Sequence, residues 1–258
     1  MVSYLEKVNK DICIKLNQLT FGQFLKELWK DTDFDCINKN SEEEDILKQY
    51  KYLKQYTTKQ IKNKYSLKKI YNFSKNSNNK GRLFVKEGGL QRIHHKLRGV
   101  LCNDLYCDFD MVNAHPSILL YLCNEHNIPC YNLQYYINNR EKCLSDLMND
   151  THEDRAFCKQ LFLKSMNSDT KMYSYSKKVK FTKTYNIKDN FFIKLDEEFK
   201  NIQTRFLEHY KEDVIRLKKL GQTINLKGKL LNSILCNTEN KILNEALKNL
   251  KDNKIISS

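Results

Sequence analysis

The chain has 258 residues, of which 40% are hydrophobic, 29% charged and 11% aromatic, and Lys+Arg 45 against Asp+Glu 31 gives a net charge of +14. That length supports one large or two modest domains with a genuine core, and the composition is not that of a disordered chain. No apolar run approaches the ~20 residues of a membrane span, the 7 Gly and 2 Pro argue against a turn-rich sandwich or barrel, and 9 irregularly spaced Cys fit a reduced, soluble, intracellular protein rather than a disulfide framework.

The N-terminus (MVSYLEKVNKDICIKL) carries acids and lysines through its first turns, unlike a signal peptide. Leu16, Leu19, Phe24, Leu25 and Leu28 have helix-like spacing, ahead of the acidic stretch Glu42 to Asp45. Residues 46–80 hold ten Lys and no acid, with Tyr50, Tyr52, Tyr56, Tyr65 and Tyr71 interleaved. Two readings stay open for this stretch. Lys48, Lys51, Lys59 and Lys62 track a nucleic-acid backbone while tyrosine faces meet sugars or bases, or the stretch is a solvated helix whose tyrosines pack inward. A polar run, residues 74–81, then reads as a connector.

From residue 82 the texture changes. Arg82 to Val85 predicts a short strand, Gly88-Gly89 a tight turn, and Leu105 to Val112 a second strand, with a buried helix beginning near Ile118. Helices are expected over about 133–148, 152–166, 190–219 and 229–251, with a loose basic segment at 170–190. Lys is abundant along the whole chain, so arginine is the more informative cation. Five of the seven arginines (Arg82, Arg92, Arg98, Arg140, Arg155) fall between positions 82 and 155, and each offers a planar fork that Lys cannot copy.

Chemistry concentrates at Asp110. A carboxylate ending an apolar strand suits a hard cation such as Mg²⁺; alternatively Asp108 and Asp110 cap the following helix. His115-Pro116-Ser117 follows, where His115 reads as a structural hydrogen-bonding residue or as part of a site. Arg155, Lys159 and Phe162, at spacings of four and seven, share one helical face. Two cations and an aromatic there can hold a triphosphate and stack on its base, or they belong to an ordinary amphipathic helix with Phe162 in the core.

Four segments in order resemble the polymerase domain of family A DNA polymerases, over about residues 80–256. Lys80-Gly81-Arg82-Leu83 and Gly89-Leu90-Gln91-Arg92-Ile93 resemble T-G-R-L … N-L-Q-N-I. Asp108 to His115 is similar to motif A, D-x-S-Q-I-E, with a family B flavour in His115-Pro116-Ser117. Arg155-x-x-x-Lys159-x-x-Phe162 resembles motif B, one residue shorter between Lys and Phe. Ile224 to Lys229, through Glu239 and Glu245, resembles the N-x-x-x-Q-G segment and the long helix before motif C.

The resemblance implies an α+β fold, with a small antiparallel palm sheet, mostly helical fingers and a basic, helical, thumb-like region. The expected division is 1–80 for the thumb-like part and 81–258 for a partial palm and fingers. It implies template-directed nucleotidyl transfer on primer–template DNA, from deoxynucleoside triphosphates, in a compact version of the viral or mobile-element kind. Asp110 becomes the catalytic Mg²⁺ ligand, Arg155, Lys159, Phe162 and His115 nucleotide-binding residues, and Arg82, Gln91, Arg98 and Asn225 nucleic-acid contacts. His115 stands where the family has Glu or Tyr at its sugar gate. Motif C is expected after Leu250, where the remaining residues, KDNKIISS, offer only Asp252. The expectation is therefore a core truncated before motif C, or a non-catalytic nucleic-acid-binding protein derived from one.

Overall fold

A computed structural model describes residues 2–26, 43–73, 81–106, 110–172 and 187–255. The chain divides into two compact units, the first comprising residues 1–74 and 83–110, the second 75–82 and 111–258. The first unit thus runs on to Asp110, past the boundary at 80/81 drawn from the sequence.

The first unit is mixed α+β. Strands β1 (Val2–Lys7), β2 (Ser66–Phe73) and β3 (Leu83–Val85) form an antiparallel sheet in that order, with Val2 opposite Tyr71, Lys7 opposite Ser66, and Phe73 opposite Leu83. Helices α1 (Lys10–Gln18), the short α2 (Phe21–Phe24), α3 (Glu43–Lys62) and α4 (His95–Leu101) complete it. Their core includes Cys13, Leu16, Phe24, Leu53, Tyr56, Leu97 and Leu101. Asn9 caps α1 by accepting from the Ile12 amide, and Thr20 and Gln23 form a capping box on α2.

Two strand expectations require correction. Most of the sheet is built from β1 and β2, inside the region expected to be a helical thumb. Conversely, the described residues of the segment expected as a strand, Leu105, Tyr106 and Asp110 to Val112, lie in turns and irregular backbone; Asp108 lies outside the described residues. The Tyr106 hydroxyl is instead occupied in accepting a bond from the Lys7 amide at 2.8 Å.

β1 escaped the sequence reading because its pattern is inverted: Leu5 is 58% exposed while Glu6 is 4% exposed. A buried carboxylate is tolerated only when its lone pairs are filled, and Glu6 has four bonds. It accepts from the hydroxyls of Tyr56 (2.9 Å) and Tyr71 (2.6 Å), and from the Leu90 amide on both oxygens (3.2 and 3.1 Å). This draws helix α3, strand β2 and the turn after β3 onto one atom pair. The turn needs its glycines. Gly88 has φ +62, and a Cβ at Gly89 would lie 2.5 Å from Glu6 Oε1.

The described part of the second unit is helical: α5 (Ala114–Glu125), α6 (Tyr131–Asn138), α7 (Arg140–Thr151), α8 (Arg155–Asn167), α9 (Asn190–His209), α10 (Lys211–Lys219) and α11 (Leu226–Asp252). Helix α9 buries Phe192, Leu195, Phe199, Ile202 and Phe206, a three-four spacing that makes one continuous apolar stripe. Asp154 and Asp189 cap α8 and α9 by accepting from Phe157 and Phe192 amides, and Glu198 of α9 accepts from the amides of Asn132 and Leu133 at the start of α6. The expected helix over 133–148 is two helices meeting at Asn139, and that over 190–219 is interrupted at Tyr210 (φ -112, ψ 46). Of the segment 170–190, residues 173–186 lie outside the described residues.

A buried polar clamp holds the end of α8. Asp196, wholly buried, accepts from Ser165 Oγ, from the Met172 amide at 2.7 Å and from Lys200 Nζ at 2.9 Å. Lys200 also donates to the Ser165 carbonyl at 2.6 Å, and Gln203 donates to the carbonyls of Met166 and Ser168. Both carboxylate oxygens of Asp196 are thus occupied, which is what makes a buried charge tolerable in a core.

Candidate nucleic-acid interface and a histidine–cysteine–glutamate cluster

In the first unit, α3 presents Lys48, Lys51, Tyr52, Gln55 and Lys59 along one face, and the turn after β3 faces them with Lys86, Glu87, Gly88, Arg92 and His94. The open cleft between them has a volume of about 860 Å³. Its lining carries Lys48, Lys51, Lys59, Lys86 and Arg92 against two acids, Asp45 and Glu87. Arg92 sits over the Tyr52 ring, 5.2 Å from its centroid, and the Tyr52 hydroxyl donates to the Gly89 carbonyl at 3.1 Å. That hydroxyl titrates above the ordinary tyrosine range, chiefly because of burial. His94 is pushed below the ordinary imidazole value by burial and then by His95, Lys96 and Arg98. Lys48 is partly neutralised by Glu44 (3.1 Å) and Asp45 (3.2 Å), but these are exposed pairs of little strength.

The interleaved tyrosines therefore divide from the lysines. Tyr56 is buried, and the hydroxyls of Tyr50, Tyr56 and Tyr71 donate to Leu19 carbonyl and to Glu6. Lys51, Lys59 and Lys62 are exposed on α3, with Lys62 outside the cleft lining. Charge faces solvent and most of the aromatic surface does not; Tyr52 alone among these five tyrosines lines the cleft.

The helix expected to hold a triphosphate is arranged differently. Phe162 is 3% exposed and packs against Tyr136 and Phe192 with ring centroids 4.6 and 5.2 Å apart, so it serves the core and offers no face for a base. The Arg155 fork spans both oxygens of Glu141 on α7, at 3.1 and 2.7 Å. Lys159 is exposed. The shared helical face is real as spacing, but its three residues part ways: Phe162 packs into the core, Arg155 pairs with Glu141, and Lys159 faces solvent.

Other expected contacts are also committed. Gln91 receives the Val85 amide on its oxygen (3.0 Å) and donates to the Leu83 carbonyl (3.1 Å), clipping β3 to the following turn. Asn225, left-handed at φ +53, receives the Asp169 amide (2.8 Å) and donates to the Asn167 carbonyl (2.9 Å). Arg98 lies half-buried in the last turn of α4, and Asp110 is exposed in irregular backbone.

In the second unit, α5 brings His115 to Cys236 and Glu239 of α11, and Arg82, just ahead of β3, reaches Glu239 as well, a meeting the sequence does not announce. Glu239 Oε2 lies 3.1 Å from Arg82 Nε and 3.5 Å from His115 Nε2. Cys236 Sγ is 3.9 Å from the same imidazole nitrogen. His115 and Glu239 side chains are only 13% and 15% exposed. Burial holds the imidazole below its ordinary value, outweighing the Glu239 carboxylate, and burial raises the Cys236 thiol. No local pattern announces this cluster, because its members come from residues 82, 115 and 236–239; the single readable hint is the Cys-x-x-Glu spacing on one helix.

No family model matches this chain, and no solved structure matches it. Over 184 residues it is 27% identical to a Sputnik virophage protein named "Putative helicase V13". The match covers 68% of this chain and 22% of that protein, so the chain spans about a fifth of the relative's length. No helix among the described residues is long and apolar enough to cross a membrane.

Proposed function

We propose that this chain is a nucleic-acid-binding module, and the observation that carries the reading is the basic cleft of the first unit. Five cations on two facing walls suit a run of phosphates, whose spacing rewards a line of side chains rather than a single point charge. Lysines on a rigid helix hold a backbone without reading sequence. The similarity to a virophage protein named as a helicase supports the same class of ligand. The seven glycines of this sequence never take the G-x-x-x-x-G-K-S/T spacing of a phosphate-cradling motor loop, so the matched stretch is read as a contact region rather than as the motor.

Binding of a labelled duplex and a labelled single strand tests this. Reversing Lys51, Lys59 and Lys86 to Glu together should weaken binding to all sequences alike, whereas Lys62→Glu, outside the cleft, should change it little. Equal losses for both variants would dismiss the cleft.

The second reading is nucleotidyl transfer, favoured by the ordered resemblance of residues 80–256 to a polymerase core, with primer–template DNA and deoxynucleoside triphosphates as partners and Asp110 as the metal-binding carboxylate. Mg²⁺ is held by oxygen donors, commonly one or two carboxylates with substrate phosphates. Asp110 stands as a single exposed carboxylate, and among the described residues the one cluster of three or more ligand-type side chains is the His115, Cys236 and Glu239 set, which is not an all-oxygen site. The described residues do not by themselves compose a two-metal centre. Primer extension lost on Asp110→Ala would support this reading; extension equal in both proteins would remove Asp110 from it.

A further inference from the structure

We propose that His115, Cys236 and Glu239 form a binding site for a thiophilic divalent cation, zinc by the chemistry of its donors, independent of either reading above. The three residues offer nitrogen, sulfur and oxygen donors that all lie within 4.8 Å of one another. A mixed set with a thiolate selects zinc among the common divalent cations, since magnesium and calcium take oxygen ligands.

The geometry is close to what that ion requires. With metal–nitrogen and metal–oxygen bonds of about 2.0–2.2 Å and a metal–sulfur bond of about 2.3 Å, tetrahedral edges are about 3.4 Å for N···O and about 3.6 Å for N···S. The corresponding separations are 3.5 Å between His115 Nε2 and Glu239 Oε2, and 3.9 Å between His115 Nε2 and Cys236 Sγ. The site therefore closes by a few tenths of an ångström on these two edges. Cys236 and Glu239, three residues apart on α11, project from one face of a rigid helix. His115 comes from the first turn of α5, immediately before Pro116.

Two further features fit a metal centre. Among the described cysteines, Cys236 is the one that is not fully buried; Cys13, Cys102, Cys123, Cys130, Cys143 and Cys158 are all enclosed. Arg82 also holds Glu239, with Nε 3.1 Å from Oε2, the oxygen nearest His115, and Nη2 3.5 Å from Oε1, and so fixes the orientation of the carboxylate. On binding, the Cys236 thiol loses its proton to solvent and the sulfur–metal bond takes its place. The thiolate and carboxylate neutralise the dication, and three protein donors leave a fourth position for water.

The test titrates the reduced full chain with Co²⁺ as a spectroscopic probe, then with Zn²⁺. The expected result is tetrahedral visible bands with a thiolate-to-cobalt band, saturating at one ion per chain and displaced by Zn²⁺. Cys236→Ser should abolish the thiolate band, and His115→Ala and Glu239→Gln should each weaken binding by about tenfold or more. A thiolate band persisting in folded Cys236→Ser would overturn the proposal. X-ray absorption on the zinc-loaded wild type gives an answer that needs no variant: one sulfur with nitrogen or oxygen neighbours is expected, and a shell without sulfur would overturn the site. Charge reversal in the cleft should leave metal uptake unchanged, and loss of the metal should leave cleft binding in place.

Discussion

Glu6 decides more of the first unit than any other single side chain. It is acidic, next to an exposed Leu5, and reads in sequence as solvent-facing; only the assembled structure reveals that two phenols and an amide converge on it. Tyr56 is raised far above the ordinary tyrosine value, first by burial and then by the neighbouring Glu6 carboxylate, and Tyr71 is raised by burial and by its bond to Glu6. A raised tyrosine keeps its proton in the folded state where the unfolded chain has lost it. The folded state then binds more protons, so this contribution is complete below about pH 10 and declines as pH rises further. Denaturant unfolding from pH 8 to 11 should show that decline, and Tyr56→Phe should make it shallower. An identical pH profile in both proteins would mean that the phenol is not held as described. Phe162 illustrates the opposite case of legibility. Its spacing from Arg155 and Lys159 was plain in the sequence, yet spacing names a face without saying whether solvent or core lies against it.

Among the elements, helices with long apolar stripes were readable, and breaks without glycine or proline were not. α8 and α11 fall close to the expected segments and α9 fills the first part of its own, where its apolar stripe gives a clear 3.6-residue pattern. The interruption at Tyr210 coincides with a tertiary contact instead: its hydroxyl meets His126 Nε2 of the segment after α5 at 2.9 Å. The meeting of α8 with α11 was equally silent. A Cβ at Gly228 would lie 1.9 Å from the Asn167 carbonyl oxygen, which belongs to backbone and has little room to yield. Gly228→Ala should therefore destabilise the second unit by about 3 kcal/mol, read as a shifted denaturation midpoint with unchanged slope. A substitution tolerated within about 0.5 kcal/mol would contradict the close approach of these two helices.

For the molecule as a whole, the net charge of +14 raises a polyanion as the partner to look for but does not say which surface would meet it. Forty-five cations in 258 residues hide a site among solvated lysines. The cleft became visible only when β3 and its turn came to face α3. If the cleft follows a duplex backbone, the logarithm of the affinity should fall linearly with the logarithm of salt concentration, and each phosphate contact removed should make that slope shallower by about 0.9. Lys51→Glu and Lys59→Glu variants, measured across a salt series, check this; a slope unchanged from wild type would return these lysines to ordinary solvated surface.

The arrangement around Gly88-Gly89 has a consequence for how this surface can change. Lys86 and Arg92 hang from a turn whose Leu90 amide is fastened to Glu6, a group sealed from solvent. The gap between the two walls is therefore ruled by a residue that no polyanion can touch. If the cleft is a polyanion site, sequence drift at its exposed lysines would adjust affinity in small steps, one charge at a time. Drift at Glu6 or Gly89 would instead move several cations at once, so that the grip and the core of this unit are tied to the same internal anchor.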